Sequence, residues 1–282
     1  CIGIILLCAL LNSLKSSFNN QSYEQVFSVV SVICISSAII IPIANLIIKT
    51  SSLIKQVSNF LLSFIPVYVV IITASGKPIS ATAYSTAIIG VIQIISRISA
   101  TVFVPLLGIY MAFCLIGSAS HEINVEGIAK TVKTSVIVAL TFLMTIFVGL
   151  LTVKSVVAAS ADTVALRTAK FAIGAFLPVV GSAISEALSS VQGFLGVIKS
   201  TVGGFGIIAV IAAFIPSIVT VLMMQLSLSL AGGISEALST DKITSLVRSA
   251  QSVLSLILGI TITFGVLLIV SLGVMLTVSG GG

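Results

Sequence analysis

Five uninterrupted apolar stretches, each long enough to cross a lipid bilayer, constrain the fold of this chain more than any other feature. A helix needs about 20 consecutive apolar residues to cross the hydrocarbon core. Unbroken apolar runs lack the alternating pattern of membrane β-strands, which would also leave open edges in lipid. The sequence therefore predicts an all-α, polytopic helical membrane protein with spans at residues 26–48, 98–120, 134–153, 207–231 and 253–278.

Composition excludes a water-soluble domain. Of the 282 residues, 58% are hydrophobic and 7% are charged, whereas soluble domains carry about 25% charged residues. The 13 basic residues are too dispersed to follow a phosphate backbone, so nucleic-acid binding is not expected. The chain opens at Cys1 rather than at a methionine, and we expect a fragment or processed form in which residues 1–11 end a partial span or a signal sequence.

Two further apolar stretches are interrupted, and each divides into two short arms. Arms of roughly 12 to 18 residues are marginal for a straight crossing, so a broken or re-entrant helical hairpin fits each stretch. Two short, tilted spans remain the alternative, because tilt absorbs such a mismatch at small cost. The first hairpin has arms 57–74 and 82–96 around Ser75-Gly76-Lys77-Pro78, and the second has arms 171–183 and 187–198 around Ser185-Glu186.

An internal duplication is indicated by a recurring order of proline motifs. A shift of about 112 residues places Phe64-Ile65-Pro66-Val67 on Phe176-Leu177-Pro178-Val179, and Phe103-Val104-Pro105 on Phe214-Ile215-Pro216. Each half then continues with a short amphipathic helix and a span. We therefore expect N-terminal membrane segments (1–52), repeat 1 (53–153) and repeat 2 (154–282), with Pro66, Pro105, Pro178 and Pro216 as helix-break residues. Coincidence in so biased a composition is the alternative.

The distribution of basic residues predicts the topology. One side of the five spans has eight basic residues against two acids, and the other has five against five. The positive-inside rule makes the first side cytoplasmic. Hairpins contribute even numbers of crossings, which gives two parallel repeats unless a continuous helix runs through Arg97. The cytoplasmic set is Lys49, Lys55, Lys77, Arg97, Lys154, Arg167, Lys170 and Lys199; the opposite set is Lys15, Lys130, Lys133, Lys242 and Arg248.

No pattern of residues indicates catalysis, a cofactor or a metal. The single histidine, His121, has no motif around it, and the four cysteines have no paired spacing. Asp162 is expected to be solvated in an interfacial amphipathic stretch with nearby basic residues. Lys77 and Glu186 fall at the two hairpin tips, where opposite charges inside the membrane are candidates for a functional pair or for pore charges. If the arms cross fully, both residues simply reach water.

Two long runs carry a resemblance to a known family. Residues 152–171 (TVKSVVAASADTVALRTAKF) and 176–193 (FLPVVGSAISEALSSVQG) resemble the stage III sporulation protein AE family, and the likeness extends over nearly the whole chain. The resemblance implies a membrane component of a channel or secretion-like complex between mother cell and forespore. It also implies a cytosolic ATPase and several small membrane subunits as partners, and a place in the mother-cell membrane around the forespore. Family members carry more sequence before the first matched span.

Two functions follow from these observations. In the first, the chain is a structural or pore-forming subunit of that complex, without enzymatic activity, and any homo-oligomer is expected to form through small-residue faces such as 203–213. In the second, it is a secondary transporter that binds a small solute between the two repeats at mid-membrane. The scarcity of ionisable residues within the apolar segments favours the first function.

Overall fold

The computed structural model describes residues 21–119, 126–176, 181–237 and 241–277, and every described element is a helix. The helices are α1 (Gln21–Ala74), α2 (Pro78–Ile98), α3 (Val104–Ala119), α4 (Glu126–Phe176), α5 (Gly181–Ala237) and α6 (Asp241–Thr277), and a π-helical turn (Ser99–Phe103) joins α2 to α3. Five helical stretches are long and apolar enough to cross a membrane: Ile33–Ala74, Pro78–Phe113, Lys130–Lys154, Ser189–Ala237 and Ile243–Leu276. The all-α, polytopic prediction is confirmed.

The helices are longer than the sequence predicted, because segments expected to be separate are joined. Helix α1 has 54 residues and contains both the span 26–48 and the first arm of the first hairpin. The segments with Lys130 and Lys242, expected as short amphipathic helices, are the first turns of α4 and α6. Polar residues at these junctions are compatible with helical backbone, so a change in polarity did not mark a helix end.

The first hairpin break lies where it was predicted, but its arms are not short. Helix α1 ends at Ala74 and α2 begins at Pro78. Helix α2 alone has 21 residues, which is enough for a full crossing. The length argument for a re-entrant hairpin therefore fails here, and two ordinary helical arms agree better with the structure.

The second hairpin prediction is wrong in position. Ser185 and Glu186 lie inside α5, which begins at Gly181, and Glu186 is exposed. The described part of α4 ends at Phe176 and that of α5 begins at Gly181, and Pro178 lies outside the described residues. Serine and glutamate are ordinary residues near a helix start, whereas proline disfavours a continuous helix.

Two of the proposed helix-break prolines do not break a helix. Pro66 lies within α1, and Pro216 lies within α5. A proline removes one backbone hydrogen bond, and packing on both sides maintains the helix: Ile65 and Tyr68 are 0% and 1% exposed. Pro105 follows the π turn, in which the Val104 N–H donates to the Ser99 carbonyl. That wider turn accommodates a proline without ending the helix.

Arg97 lies within a continuous helix. A continuous helix at this point was the exception to the expectation of two parallel repeats. Helix α2 contains Arg97 and passes through the π turn into α3. Helix α1 is likewise continuous through Lys49 and Lys55, so two junctions are helical rather than one. Each continuous junction changes the number of membrane crossings by one, so the two together leave the parity of that number unchanged. The duplication, its boundaries and its parallel direction stay predictions.

Contacts divide the chain into two compact units. Unit 1 comprises the described residues of Cys1–Leu53, Ile98–Leu140 and Ile215–Ile262. Its core side chains recur at three- and four-residue spacing, as in Ile39, Ile43 and Leu46 of α1. Near the ends of α5 and α6, Ser235 and Thr244 share a buried hydrogen bond of 3.0 Å, and exposed Arg248 pairs with Glu236 at 2.9 Å.

Unit 2 comprises the described residues of Ile54–Arg97, Thr141–Phe214 and Thr263–Gly282. Two glycines of α5 allow close packing in its core. A Cβ atom on Gly206 would lie 2.9 Å from the Phe64 ring, and one on Gly203 would collide with the Leu276 side chain. The small-residue face expected to support oligomerisation is therefore already occupied within the chain at Gly203 and Gly206.

Candidate functional site

The turn between α1 and α2 ends the first helix with a glycine in the left-handed conformation. Gly76 has φ of 82°, which a residue with a side chain adopts only with strain. The Gly76 N–H donates to the Thr73 carbonyl at 3.0 Å, and the Lys77 N–H donates to the Ile72 carbonyl at 3.3 Å. This pair of bonds is a Schellman motif, which satisfies carbonyls at the end of α1.

Asp162 of α4 caps the start of α2. Its two carboxylate oxygens accept hydrogen bonds from the backbone N–H groups of Ile79 (3.0 Å) and Ser80 (2.8 Å). Pro78, the first residue of α2, has no N–H, so Ile79 and Ser80 are the first donors without intrahelical partners. A carboxylate at this end also faces the positive end of the helix dipole. Asp162, a residue of α4, thus acts as the N-cap of α2.

The prediction that Asp162 is solvated is wrong. The side chain is 2% exposed, and burial of an ionised carboxylate is tolerated only when strong hydrogen bonds replace water. The two backbone N–H groups of α2 supply these bonds. Periodicity along α4 identified Asp162 as a polar residue on a helix but carried no information on its distant partner.

The turn is held between α4 and α5. A Cβ atom on Gly76 would lie 2.7 Å from Nε2 of Gln192 and 3.0 Å from a methyl carbon of Leu166. Leu166 lies one helical turn beyond Asp162 on α4, so one stretch of α4 contacts both the turn and the start of α2. We call Gly76, Lys77, Asp162, Leu166 and Gln192 the turn cluster.

Lys199 of α5 is a second buried charged residue, and it contacts the last described turn of α6. Lys199 is 1% exposed, and its Nζ donates a long hydrogen bond of 3.5 Å to the Leu276 carbonyl. Leu276 lies next to Thr277, the last described residue of α6. A cation is favoured at the C-terminus of a helix. The sequence placed Lys199 in the cytoplasmic set and did not indicate its burial; the side of the membrane on which it lies stays a prediction.

Tyr68 completes the surroundings of Lys199. Its hydroxyl is buried and makes no hydrogen bond with any described residue. A Cβ atom on Gly203, one turn beyond Lys199 on α5, would lie 2.7 Å from that hydroxyl. Lys77 is close enough for its positive charge to act on Lys199. Unit 2 therefore has polar groups of α1, α5 and α6 near Lys199, which the sequence did not indicate.

The candidate residues named from the sequence are only partly brought together. Lys77 belongs to the turn cluster, as predicted for a hairpin tip, whereas Glu186 is an exposed residue of α5. Their pairing stays a prediction. Among the described residues, no group of three or more histidine, cysteine, aspartate or glutamate side chains is placed to hold a metal ion.

Comparison with known proteins identifies the family. The sequence profile described as stage III sporulation protein AE matches residues 1–279. The chain belongs to the stage III sporulation protein AE family. It is 27% identical over 216 residues to the stage III sporulation protein AE of Bacillus subtilis strain 168, an alignment that covers 76% of this chain and 54% of that relative. The chain thus spans about half the length of this family member. No solved structure matches it.

Proposed function

We propose that this member of the stage III sporulation protein AE family is a structural or pore-forming subunit of a channel or secretion-like complex between mother cell and forespore. Family membership supports a role in sporulation. The description of the family names a stage of sporulation and no reaction. The proposal places the chain in the mother-cell membrane that surrounds the forespore, as a non-enzymatic component.

The observation that carries the proposal is the apolar surface left open on α5. In the apolar stretch of α6, 56% of the most apolar 18 residues are buried within the protein, compared with 17% for α5. Helix α5 presents large exposed apolar side chains such as Leu222, Leu226 and Leu230. Such a face suits lipid or the helices of other membrane subunits.

The proposed partners are the other membrane subunits of the sporulation complex, a cytosolic ATPase and further copies of this chain. Cysteines placed singly at Leu222 or Leu226, in a chain whose four native cysteines are replaced by serine, should crosslink to these partners in sporulating cells. A cysteine at buried Val221 is the matched control and should not react. Membrane extraction that yields only monomer, with all partners expressed, would contradict the subunit role.

A secondary transporter that binds a small solute between two repeats is the second candidate. Ion-coupled transport usually requires several ionisable groups within the membrane. The buried charged residues among those described are Asp162 and Lys199, and both are bonded to helix ends. Purified chain alone in liposomes should therefore show no saturable solute uptake driven by an ion gradient. Such uptake, abolished by Lys199→Met in a folded variant, would favour the transporter instead.

A further inference from the structure

Lys199 is a buried basic residue without a carboxylate partner among the described residues. Its side chain lies within the apolar stretch Ser189–Ala237 and is 1% exposed. The hydrogen bond from its Nζ to the Leu276 carbonyl is 3.5 Å long, whereas ordinary N–H···O bonds are about 2.9 to 3.0 Å long. No carboxylate of the described residues forms an ion pair with Lys199. A buried ammonium is costly unless a negative charge pairs with it, so Lys199 lacks a strong partner among the side chains described.

Lys77 adds a second positive charge at the same place. It is partly buried, and its charge acts on Lys199. Two like charges at short range repel each other more strongly in a protein interior than in water. Asp162, the buried acid among the described residues of unit 2, is already bonded to the start of α2. The two lysines therefore form a local excess of positive charge inside unit 2.

Tyr68 provides a hydroxyl donor beside the same contact. Its side chain is 1% exposed, and its hydroxyl has no hydrogen-bond partner among the described residues. Leu276 connects the two groups, because its carbonyl accepts the bond from Lys199 while its side chain and the Tyr68 hydroxyl both reach the Cβ position of Gly203. A buried hydroxyl without a partner indicates a missing acceptor. An ammonium group has donors and no acceptor, so both groups have a donor to offer.

We infer that Lys199, Lys77 and Tyr68 bind a small anion of about the size of chloride. The two ammonium groups supply the opposite charge, and the hydroxyl donates a hydrogen bond. Because Lys199 and Tyr68 are each 1% exposed, the site excludes a nucleotide or a phospholipid headgroup. The flexible stem of a lysine lets the Lys199 ammonium leave its long contact and turn to the anion. Such a site is compatible with a channel subunit and with a transporter, so the inference does not depend on the proposed function.

Thermal unfolding of the purified protein in a non-ionic detergent tests the inference. At constant ionic strength, replacement of gluconate by chloride should raise the unfolding midpoint, because a ligand that binds only the folded state stabilises it. Lys199→Met should abolish this rise. Tyr68→Phe, which removes only the hydroxyl, should weaken chloride binding about tenfold, the effect of one hydrogen bond to a charged group. The control Lys55→Met removes an exposed lysine of the same unit and should leave the chloride response unchanged.

Three results would overturn the inference. Equal midpoints in chloride and in gluconate would show that Lys199 is held without an anion. A rise with phosphate but not with chloride would show a site for phosphate groups instead. Equal loss of the response in Lys55→Met and Lys199→Met would show general screening of charge. Broadening of the chloride NMR signal by the folded protein, reduced in Tyr68→Phe, measures binding directly and keeps the test decisive if Lys199→Met does not fold.

Discussion

Asp162 and Ser80 are 82 residues apart in sequence, and the Asp162 carboxylate accepts a hydrogen bond of 2.8 Å from the Ser80 backbone N–H. The same carboxylate binds the Ile79 N–H. This contact joins the first hairpin to α4 through the backbone of α2 rather than through a side chain. Substitution of Ser80 would therefore leave the contact intact, and substitution of Asp162 would remove it.

Asp162→Ala should destabilise the protein by about 1 to 3 kcal/mol, because the buried Ser80 N–H and the partly buried Ile79 N–H lose their acceptor. Asp162→Asn should cost less, since the amide oxygen still accepts one hydrogen bond. Chemical unfolding in detergent micelles measures both. The control is Glu236→Gln, a carboxylate in an exposed ion pair, which should change stability by no more than about 1 kcal/mol. Equal effects at Asp162 and Glu236 would contradict the buried cap.

Gly203→Ala should destabilise the protein by about 1 to 3 kcal/mol through overpacking, because its methyl group would meet the Leu276 side chain and the Tyr68 hydroxyl. Gly204→Ala is a matched control one residue away. No atom outside its own stretch of helix lies within 4 Å of a Cβ atom there, so helix propensity should stabilise that variant by up to about 1 kcal/mol. Unfolding midpoints that move in the same direction would show that α5 is not packed as described.

The Lys77 and Glu186 double-mutant cycle distinguishes a buried pair from two separate charges. A buried pair would lose about 3 to 5 kcal/mol on removal of one partner and would recover part of it in the double variant. Because Glu186 is exposed on α5, we expect Glu186→Gln to be nearly silent and its effect to add to that of Lys77→Met. A coupling energy well above about 1 kcal/mol in unfolding measurements would instead establish the pair.

Labelling of single cysteines in intact cells tests the predicted topology. The positive-inside rule places residues 124 and 239 outside the cytoplasm, and residue 160 on the cytoplasmic side. An impermeant thiol reagent should therefore modify cysteines at 124 and 239 and leave one at 160 unmodified until the membrane is opened. The reverse pattern of labelling would invert the orientation of every span.

Local chemistry made some features of the chain predictable. The first hairpin turn was found because glycine and proline at positions 76 and 78 each act on their own stretch of backbone. The apolar spans were found because the length of a crossing is fixed by the bilayer. Pro66 and Pro216 misled the prediction, since a proline removes only one backbone hydrogen bond and membrane helices tolerate that loss.

The long-range contacts could not be predicted in the same way. Asp162 was expected to be solvated because charged residues in interfacial stretches usually are, and Lys199 was named only as one of the cytoplasmic basic residues. Their actual partners are backbone groups 82 and 77 residues away. Backbone groups are the same in almost every residue, so no pattern of side chains in the sequence could have indicated either contact.

The separation of Asp162 from α2 also sets an order of events during synthesis. At 5 to 20 residues per second, the ribosome completes the start of α2 roughly 4 to 16 s before it adds Asp162. During that interval the first turn of α2 has no acceptor for two of its donors, so the newly made hairpin stays incomplete until the middle of the chain arrives. Nascent chains stalled before residue 162 should expose a cysteine at position 80 to labelling, and chains stalled well after the completion of α4 should protect it. The stability of the first hairpin is thus fixed by a residue that the cell has yet to make when that hairpin forms.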